Sequence, residues 1–169
     1  CFSFLNSAIR FINPTAFLYL IGIIIFVSLD IISNKKYNNA DYIKLIKSDM
    51  FSSSECEQYK NEDNRFDVIV SNPPYIPTKD IDELSEEVRL HDPVLALDGD
   101  TDGLKFYKAI TKQSVNYLKE NGYLCYEIGY NQAEDVRNIM EQCGYSGIKV
   151  IKDLAGLDRV VIGRLNNIN

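Results

Sequence analysis

The chain has 169 residues, of which 46% are hydrophobic and 25% charged, which is enough for one domain with a hydrophobic core. Its formal net charge of −6 disfavours a protein that grips a polyanion over a broad face, because neutralising phosphates requires clustered Lys and Arg. The four cysteines form no CxxC pair and there is a single histidine, so the pattern indicates free thiols in a reducing cytosol and no metal site.

Segments with the apolar patterns of strands and helices alternate along the chain. In chain order they are a helix at 2–11, strands at 21–29, 43–47 and 66–71, helices at 80–90 and 104–120, a strand at 123–128, a helix at 132–143, and strands at 148–152 and 159–164. Such alternation predicts an α/β fold with a largely parallel sheet covered by helices on both faces. The apolar run at 17–29 is shorter than the roughly 20 residues of a membrane helix, which favours a buried strand.

The end of the chain departs from this alternation. The last two predicted strands are joined only by residues 153–158, which are too few for a crossover helix, so we expect an antiparallel hairpin. Two other stretches are predicted to be loops: the polar segment 52–64, and the segment 92–103, which mixes Pro, Gly and acidic residues.

The predicted strand at 66–71 leads directly into Asn72, Pro73, Pro74 and Tyr75. In an open parallel sheet, ligands bind beyond the carboxyl ends of the strands, so this tetrapeptide lies where chemistry is expected. The two prolines lack N–H groups and stiffen the backbone, and the tyrosine supplies a flat face for stacking. A simple turn is the alternative interpretation of these four residues.

Together these residues predict a site for a planar NH2 group. The Asn72 side-chain oxygen and the Pro73 carbonyl can each accept one N–H, which points the lone-pair axis of the nitrogen at a methyl donor. Amide and exocyclic amine nitrogens are poor nucleophiles, and alignment with water excluded can supply much of the acceleration. A sulfonium methyl donor is intrinsically reactive, so no strong general base is required.

Acidic residues at predicted strand ends suggest a nucleoside site. Asp30 follows the strand at 21–29, where a carboxylate can accept both ribose hydroxyls of an adenosyl cofactor; a helix N-cap or a solvated acid is the alternative. Asp49 follows the strand at 43–47 and could accept from an adenine amino group while Met50 or Phe51 packs on the ring. Asp49, too, has the alternative of a solvated acid.

Four blocks of sequence make the chain recognisable from about residue 30 to residue 164. They are FDVIVSNPPYIP (66–77), DPVLALDGDTDGLKFY (92–107), GYLCYEIGYNQ (122–132) and KDLAGLDRVVIG (152–163). In this order they resemble the HemK/PrmC family, the N5-glutamine methyltransferases of peptide chain release factors. The tetrapeptide alone is shared with DNA adenine and RNA guanine methyltransferases.

The resemblance implies a class I, Rossmann-like methyltransferase sheet, with the methyl donor S-adenosylmethionine and no metal. It implies that the substrate is the glutamine of the Gly-Gly-Gln loop of class 1 release factors. Residues Asn72, Pro73, Pro74 and Tyr75 would form the catalytic loop. Asp30, Asp49, Met50, Phe51 and Asn72 would contact the cofactor, and Asn72, Pro73, Tyr75 and Glu127 the substrate. Gln132 would lie near the site, and Glu127 has a solvated acid as its alternative.

The chain departs from the family pattern at several points. It has no glycine-rich turn like GTGSG, so we expect the first strand and its loop, and the N-terminal domain that docks the release factor, to be missing from residues 1–169. Loss of a central strand would leave inner sheet edges unpaired and weaken cofactor binding. Where the family has a paired glycine, this chain has Gly99 followed by Asp100.

Two other functions remain as alternatives. An N6-adenine or N2-guanine methyltransferase would use the same NH2 geometry on a flipped base, although the acidic composition counts against it. An inactive fragment without the glycine-rich loop is the second. For the primary interpretation we expect a cytoplasmic monomer that acts on release factors and not on membranes.

Overall fold

The structure is a computed structural model that describes residues 7–9, 46, 48–84 and 93–166. The strands are β1 (Ser7–Ile9), β2 (Phe66–Ser71), β3 (Leu118–Glu127), β4 (Tyr145–Lys152) and β5 (Asp158–Leu165). The α-helices are α1 (Val94–Leu97), α2 (Lys105–Ser114) and α3 (Ala133–Gln142). Short 3₁₀ segments cover Ser54–Lys60, Glu62–Asn64 and Thr78–Glu83. In these ranges, no helix is long and apolar enough to cross a membrane.

The five strands form one mixed sheet in the order β1-β2-β3-β5-β4. Strands β2 and β3 are parallel, and β5 runs antiparallel to both β3 and β4. The predicted α/β fold and its C-terminal antiparallel hairpin are therefore confirmed. Because β5 begins beside the carboxyl end of β3, the hairpin turn and the residues that follow β2 and β3 share one edge of the sheet.

The open edge of β2 that we expected is paired in the structure. Residues Ser7–Ile9 form a strand antiparallel to β2, with Ser7 opposite Val70 and Ile9 opposite Val68. The helix predicted at 2–11 is therefore wrong at these three residues, because the unpaired backbone groups of a strand edge bind extended chain. The strand predicted at 21–29 lies outside the described residues. Of the strand predicted at 43–47, only Ile46 is described, and it is not in a strand.

The helix predicted at 104–120 is wrong in its last part. Helix α2 ends at Ser114, and Leu118 already pairs with Phe66 in the sheet. The register then shifts, so that Tyr123 pairs with Val68, and Asn121 takes a left-handed conformation with φ of 62° in the intervening bulge. The helix predicted at 80–90 is also wrong in its described part, which belongs to the 3₁₀ segment Thr78–Glu83.

Helices α2 and α3 contribute side chains to the larger of the two clusters of buried hydrophobic residues found in the described part of the chain. The fully buried members include Tyr107, Ile110, Leu124, Tyr126, Val136 and Met140. Hydroxyl groups in this core are paired: Thr111 Oγ1 lies 2.9 Å from the Tyr126 hydroxyl, and Ser114 Oγ lies 2.7 Å from the Tyr145 hydroxyl. Burying these polar atoms therefore carries little penalty. The described cysteines Cys56, Cys125 and Cys143 are free thiols, as the sequence indicates.

We expect Leu124→Ala to lower the free energy of unfolding by about 2–5 kcal/mol, because Leu124 is completely buried and its truncation leaves a cavity. The matched control is Leu154→Ala in the hairpin turn, where the side chain is fully exposed and the change should be within about 0.5 kcal/mol. Urea unfolding of both variants measures the difference. Equal losses in the two variants would contradict the observed core.

Candidate active site

The loop that carries Asn72–Tyr75 leaves the carboxyl end of β2. Asn72 is exposed, Pro73 and Pro74 are buried, and Tyr75 is half-buried. Among the described residues, none donates a hydrogen bond to the Asn72 side chain or to the Pro73 carbonyl. Within the described part of the chain, neither acceptor that the sequence assigns to an NH2 group is therefore engaged, and of the two residues Asn72 is exposed and Pro73 buried.

Residues 76–78 fix one side of this loop to the segment before α2. Ile76 forms a parallel bridge with Asp98, in which the Ile76 amide donates to the Leu97 carbonyl (3.0 Å) and the Gly99 amide donates to the Ile76 carbonyl (2.8 Å). The Thr78 hydroxyl donates to Asp98 Oδ1 at 2.7 Å. The block 92–107 thus contributes structure directly beside the predicted catalytic loop.

Gln132 fixes the other side of the loop. Its side-chain Nε2 donates to the Tyr75 carbonyl at 2.9 Å and to the Gly103 carbonyl at 3.4 Å. Its Oε1 accepts from the Gly129 amide at 3.1 Å. The placement of Gln132 near the site, which the resemblance implied, is therefore observed, and the side chain is almost fully buried there.

Glycine is required where the loops meet. Gly103 has φ of 71°, and a Cβ on it would overlap the Tyr75 carbonyl oxygen and lie 2.7 Å from Gln132 Nε2. A Cβ on Gly99 would lie 2.9 Å from the Tyr75 Cα. These distances are shorter than the van der Waals contact distances of a carbon atom. A side chain at either position would therefore push the Tyr75 backbone away.

Asp100, which stands where the family has a second glycine, takes the conformation of a glycine with φ of 72°. Aspartate tolerates this region because its short side chain bonds locally. Its Oδ1 accepts from the Thr101 amide at 2.8 Å, and its Oδ2 lies 2.9 Å from Lys105 Nζ. The hydrogen bond from Lys105 and those from Thr101 hold the pKa of Asp100 at about 2. These contacts therefore hold Asp100 in a left-handed conformation that glycine adopts readily.

Tyr75, Glu127 and Arg159 influence one another electrostatically. Burial raises the pKa of Tyr75, the negative charge of Glu127 raises it further, and Arg159 lowers it by its charge and a hydrogen bond. Burial also raises the pKa of Glu127, against the opposing charge of Arg159. Glu127 ends β3 and Tyr75 follows β2, so the parallel pairing of these strands places both at the same edge.

The sequence interpretation missed Arg159. Its guanidinium donates to Asp153 Oδ2 at 3.1 and 3.3 Å and to the Ile128 carbonyl at 3.3 Å. The hairpin brings it to the site because β5 starts beside the end of β3. The available signal was a basic residue at the start of the apolar strand predicted at 159–164, within the block 152–163.

Of the other predicted cofactor residues, Asp49, Met50 and Phe51 are described in the structure. Asp49 is exposed, and Met50 has φ of 49°. The Phe51 ring stacks on Tyr117, with centroids 4.4 Å apart, at the amino end of β3. The structure therefore does not bring the Phe51 ring to the Asn72–Tyr75 loop. Asp30 lies outside the described residues, as does His91.

Comparison with known proteins relates the chain to proteins described as methylases and methyltransferases. The family model for the Eco57I restriction-modification methylase matches residues 5–138, and the chain belongs to that family. The release factor glutamine methyltransferase of Fusobacterium nucleatum subsp. nucleatum is 41% identical over 133 residues, which are 79% of this chain and 36% of that protein.

A second relative and a solved structure have similar descriptions. The release factor glutamine methyltransferase of Clostridium botulinum is 43% identical over 129 residues, covering 76% of this chain and 44% of that protein. The structure of the release factor-specific protein-(glutamine-N5) methyltransferase of Alicyclobacillus acidocaldarius is 25% identical, with a TM-score of 0.42, and the match covers 65% of this chain and 55% of that one. The predicted resemblance is confirmed, and the chain spans less than half the length of the two relatives.

We expect Gly103→Ala to destabilise the fold more than Gly156→Ala. Both glycines have positive φ, so both substitutions carry a backbone strain of about 1–2 kcal/mol. Only at Gly103 does the added Cβ also collide with the Tyr75 backbone, whereas at Gly156 it meets open space. The free energies of unfolding in urea should therefore differ. Equal losses at the two positions would show that the Tyr75 backbone is not held against Gly103.

We expect Glu127→Gln to stabilise the protein at neutral pH. The raised pKa means that the folded state binds the Glu127 carboxyl proton more tightly than the unfolded state does. The protonated carboxyl group therefore favours the folded state below the ordinary pKa of glutamate, and this contribution to stability is lost as the pH rises. The midpoint of thermal unfolding of the variant, relative to wild type, should therefore increase between about pH 4 and about pH 8. Glu120→Gln, at an exposed position of the same strand, is the control and should show a smaller dependence on pH.

Proposed function

We propose that this chain is the catalytic part of an S-adenosylmethionine-dependent methyltransferase that modifies the side-chain amide of a glutamine in class 1 peptide chain release factors. The observation that carries the proposal is a pair of acceptors at the carboxyl end of β2, the exposed Asn72 Oδ1 and the carbonyl of the buried Pro73, neither of which accepts a hydrogen bond from a described residue. The names of the similar curated proteins support the choice of a glutamine amide.

The geometry of the two acceptors addresses the weak nucleophilicity of an amide. Each acceptor takes one N–H of the substrate NH2 group, which fixes the plane of the amide and turns the face of the nitrogen toward the methyl donor. The rigid proline backbone holds the acceptors in place before the substrate arrives. The half-buried Tyr75 ring lies next in the chain and would pack against the amide.

With S-adenosylmethionine bound, the amide nitrogen would take the methyl group from the sulfonium, with S-adenosylhomocysteine as the leaving group. S-adenosylmethionine supplies a methyl group activated by a positive sulfonium. Once alkylated, the amide nitrogen is strongly acidic, and its proton can leave to water. Asn72 and Pro73 therefore act by orientation, and Tyr75 and Glu127 shape the polarity of the edge at which the amide would lie.

The described residues fit part of a cofactor site. The exposed carboxylate of Asp49 suits an adenine amino group, and the exposed Asn72 would lie beside the methyl group. Asp30 would accept the ribose hydroxyls and Met50 would pack on the ring. For Phe51 the fit is poorer, because one face of its ring is occupied by Tyr117. We also propose that residues 1–169 form one partial catalytic domain, and that the protein acts as a monomer in the cytoplasm.

A nucleic-acid substrate is the second candidate, because the family description names a restriction-modification methylase. The exocyclic amine of adenine or guanine presents the same NH2 geometry to Asn72 and Pro73 once the base is flipped out of the duplex. The net charge of −6 argues against strong phosphate binding. An inactive fragment is the third outcome, in which the chain transfers methyl to no substrate.

We expect labelled methyl to pass from S-adenosylmethionine to a class 1 release factor, and Asn72→Ala to lower kcat by about 10²–10³-fold, the usual cost of losing one such polar contact. Asn72 is exposed, so the stability of the variant should match wild type. The control Asn138→Ala replaces an exposed asparagine on α3 and should leave kcat unchanged.

The same assay separates the alternatives. A release factor with the Gly-Gly-Gln glutamine replaced by alanine should receive no label. Label on duplex DNA and not on the release factor would establish the nucleic-acid substrate instead. If no substrate is labelled while S-adenosylmethionine still binds in calorimetry, the chain alone is not a functional enzyme.

A further inference from the structure

One buried side-chain amide joins three loops at the carboxyl edge of the sheet. Gln132 directly precedes α3, and its own backbone is fixed, because its amide donates to the Gly129 carbonyl (3.0 Å) and its carbonyl accepts from the Val136 amide (3.0 Å). The side chain therefore projects from a rigid point. Its two ends reach Tyr75 and Gly103 on one side and Gly129 on the other.

The catalytic loop needs such an external partner. Pro73 and Pro74 have no N–H groups, so this part of the loop cannot anchor itself through its own backbone donors. The loop is instead held at Ile76 by the bridge to Asp98 and at the Tyr75 carbonyl by Gln132 Nε2. On the N-terminal side of the two acceptors at Asn72 and Pro73, the chain is held by the pairing of Ser71 in β2, and on their C-terminal side the nearest anchored group is the Tyr75 carbonyl.

We propose that Gln132 is a positioning residue, which sets the orientation of the Asn72 and Pro73 acceptors by holding the Tyr75 carbonyl against the turn at Gly129. This inference rests on the proposed function for its effect on turnover, whereas the anchoring of the loop stands independently of it. A displacement of the acceptors by about 1 Å is enough to cost about 10²-fold in rate.

Glutamine meets the requirements of this position, and its closest analogues do not. The site presents two carbonyl acceptors and one amide donor, which match the two N–H groups and the oxygen of a primary amide. A carboxylate of the same shape would face the carbonyls of Tyr75 and Gly103 without a donor. A protonated carboxyl group would regain a single O–H donor. Glutamate at this position should therefore work only in its protonated form.

The test compares wild type with Gln132→Glu, Gln132→Met and the control Gln142→Glu, which replaces an exposed residue near the end of α3. Methyl transfer to the release factor is measured across pH, at a temperature well below the unfolding midpoint of every variant. For Gln132→Met we expect kcat to fall about 10²-fold at every pH, with an unchanged KM for S-adenosylmethionine. For Gln132→Glu we expect kcat, relative to wild type, to recover as the pH falls, and for Gln142→Glu no change.

A second measurement does not depend on turnover. Amide hydrogen exchange should become faster at Gly129 in Gln132→Met, because its acceptor is lost, and should be unchanged in the control. If wild type labels no substrate, the proposed function fails while the exchange data still decide whether Gln132 anchors the loop. Unchanged exchange at Gly129, or a kcat of Gln132→Met equal to that of wild type, would overturn the inference.

Discussion

The candidate site depends on a loop whose prolines cannot donate hydrogen bonds. Two successive prolines leave the acceptors of Asn72 and Pro73 free for a substrate, but the same chemistry removes the backbone donors that ordinarily fix a loop. The structure compensates with donors from elsewhere in the chain, namely the Leu97–Gly99 segment through Ile76, and Gln132 through Tyr75. Close approach of these segments explains why Gly103 cannot carry a side chain without displacing Tyr75.

The order of the strands brings these groups together. Parallel pairing places the ends of β2 and β3 side by side, and the antiparallel β5 starts at the same edge. Residues far apart in sequence, such as Tyr75, Glu127 and Arg159, therefore share one electrostatic environment, in which burial raises the pKa of Tyr75 and Glu127 and Arg159 opposes the increase. The ion pair of Arg159 with Asp153 keeps that cation in place.

The sequence predicted the features that local patterns determine. The strand at 66–71, helix α3 and the hairpin follow from apolar runs, helical spacing and a link too short for a crossover, and they are confirmed. The end of α2 was wrong because pairing of Leu118 with Phe66 overrides helix-compatible spacing. The roles of Arg159 and of the Gln132 hydrogen bonds arise only from contacts between distant segments, which one sequence does not reveal. The predicted cofactor role of Asp30 stays a prediction.

The loop itself cannot distinguish a glutamine amide from the amine of a base, because both present two N–H groups in a plane. Discrimination must therefore come from the surface around the loop. At the hairpin, Lys152 pairs with Asp158 and Arg159 with Asp153, and beside the loop Lys105 pairs with Asp100, so each of these cations has an acidic partner close by. Phosphate binding needs cations that are free to replace counterions. Among the described residues, exposed apolar side chains near this edge include Tyr130 after β3 and Leu154 and Leu157 in the hairpin turn. This combination of paired cations and exposed apolar groups supports the proposed protein substrate over a nucleic acid.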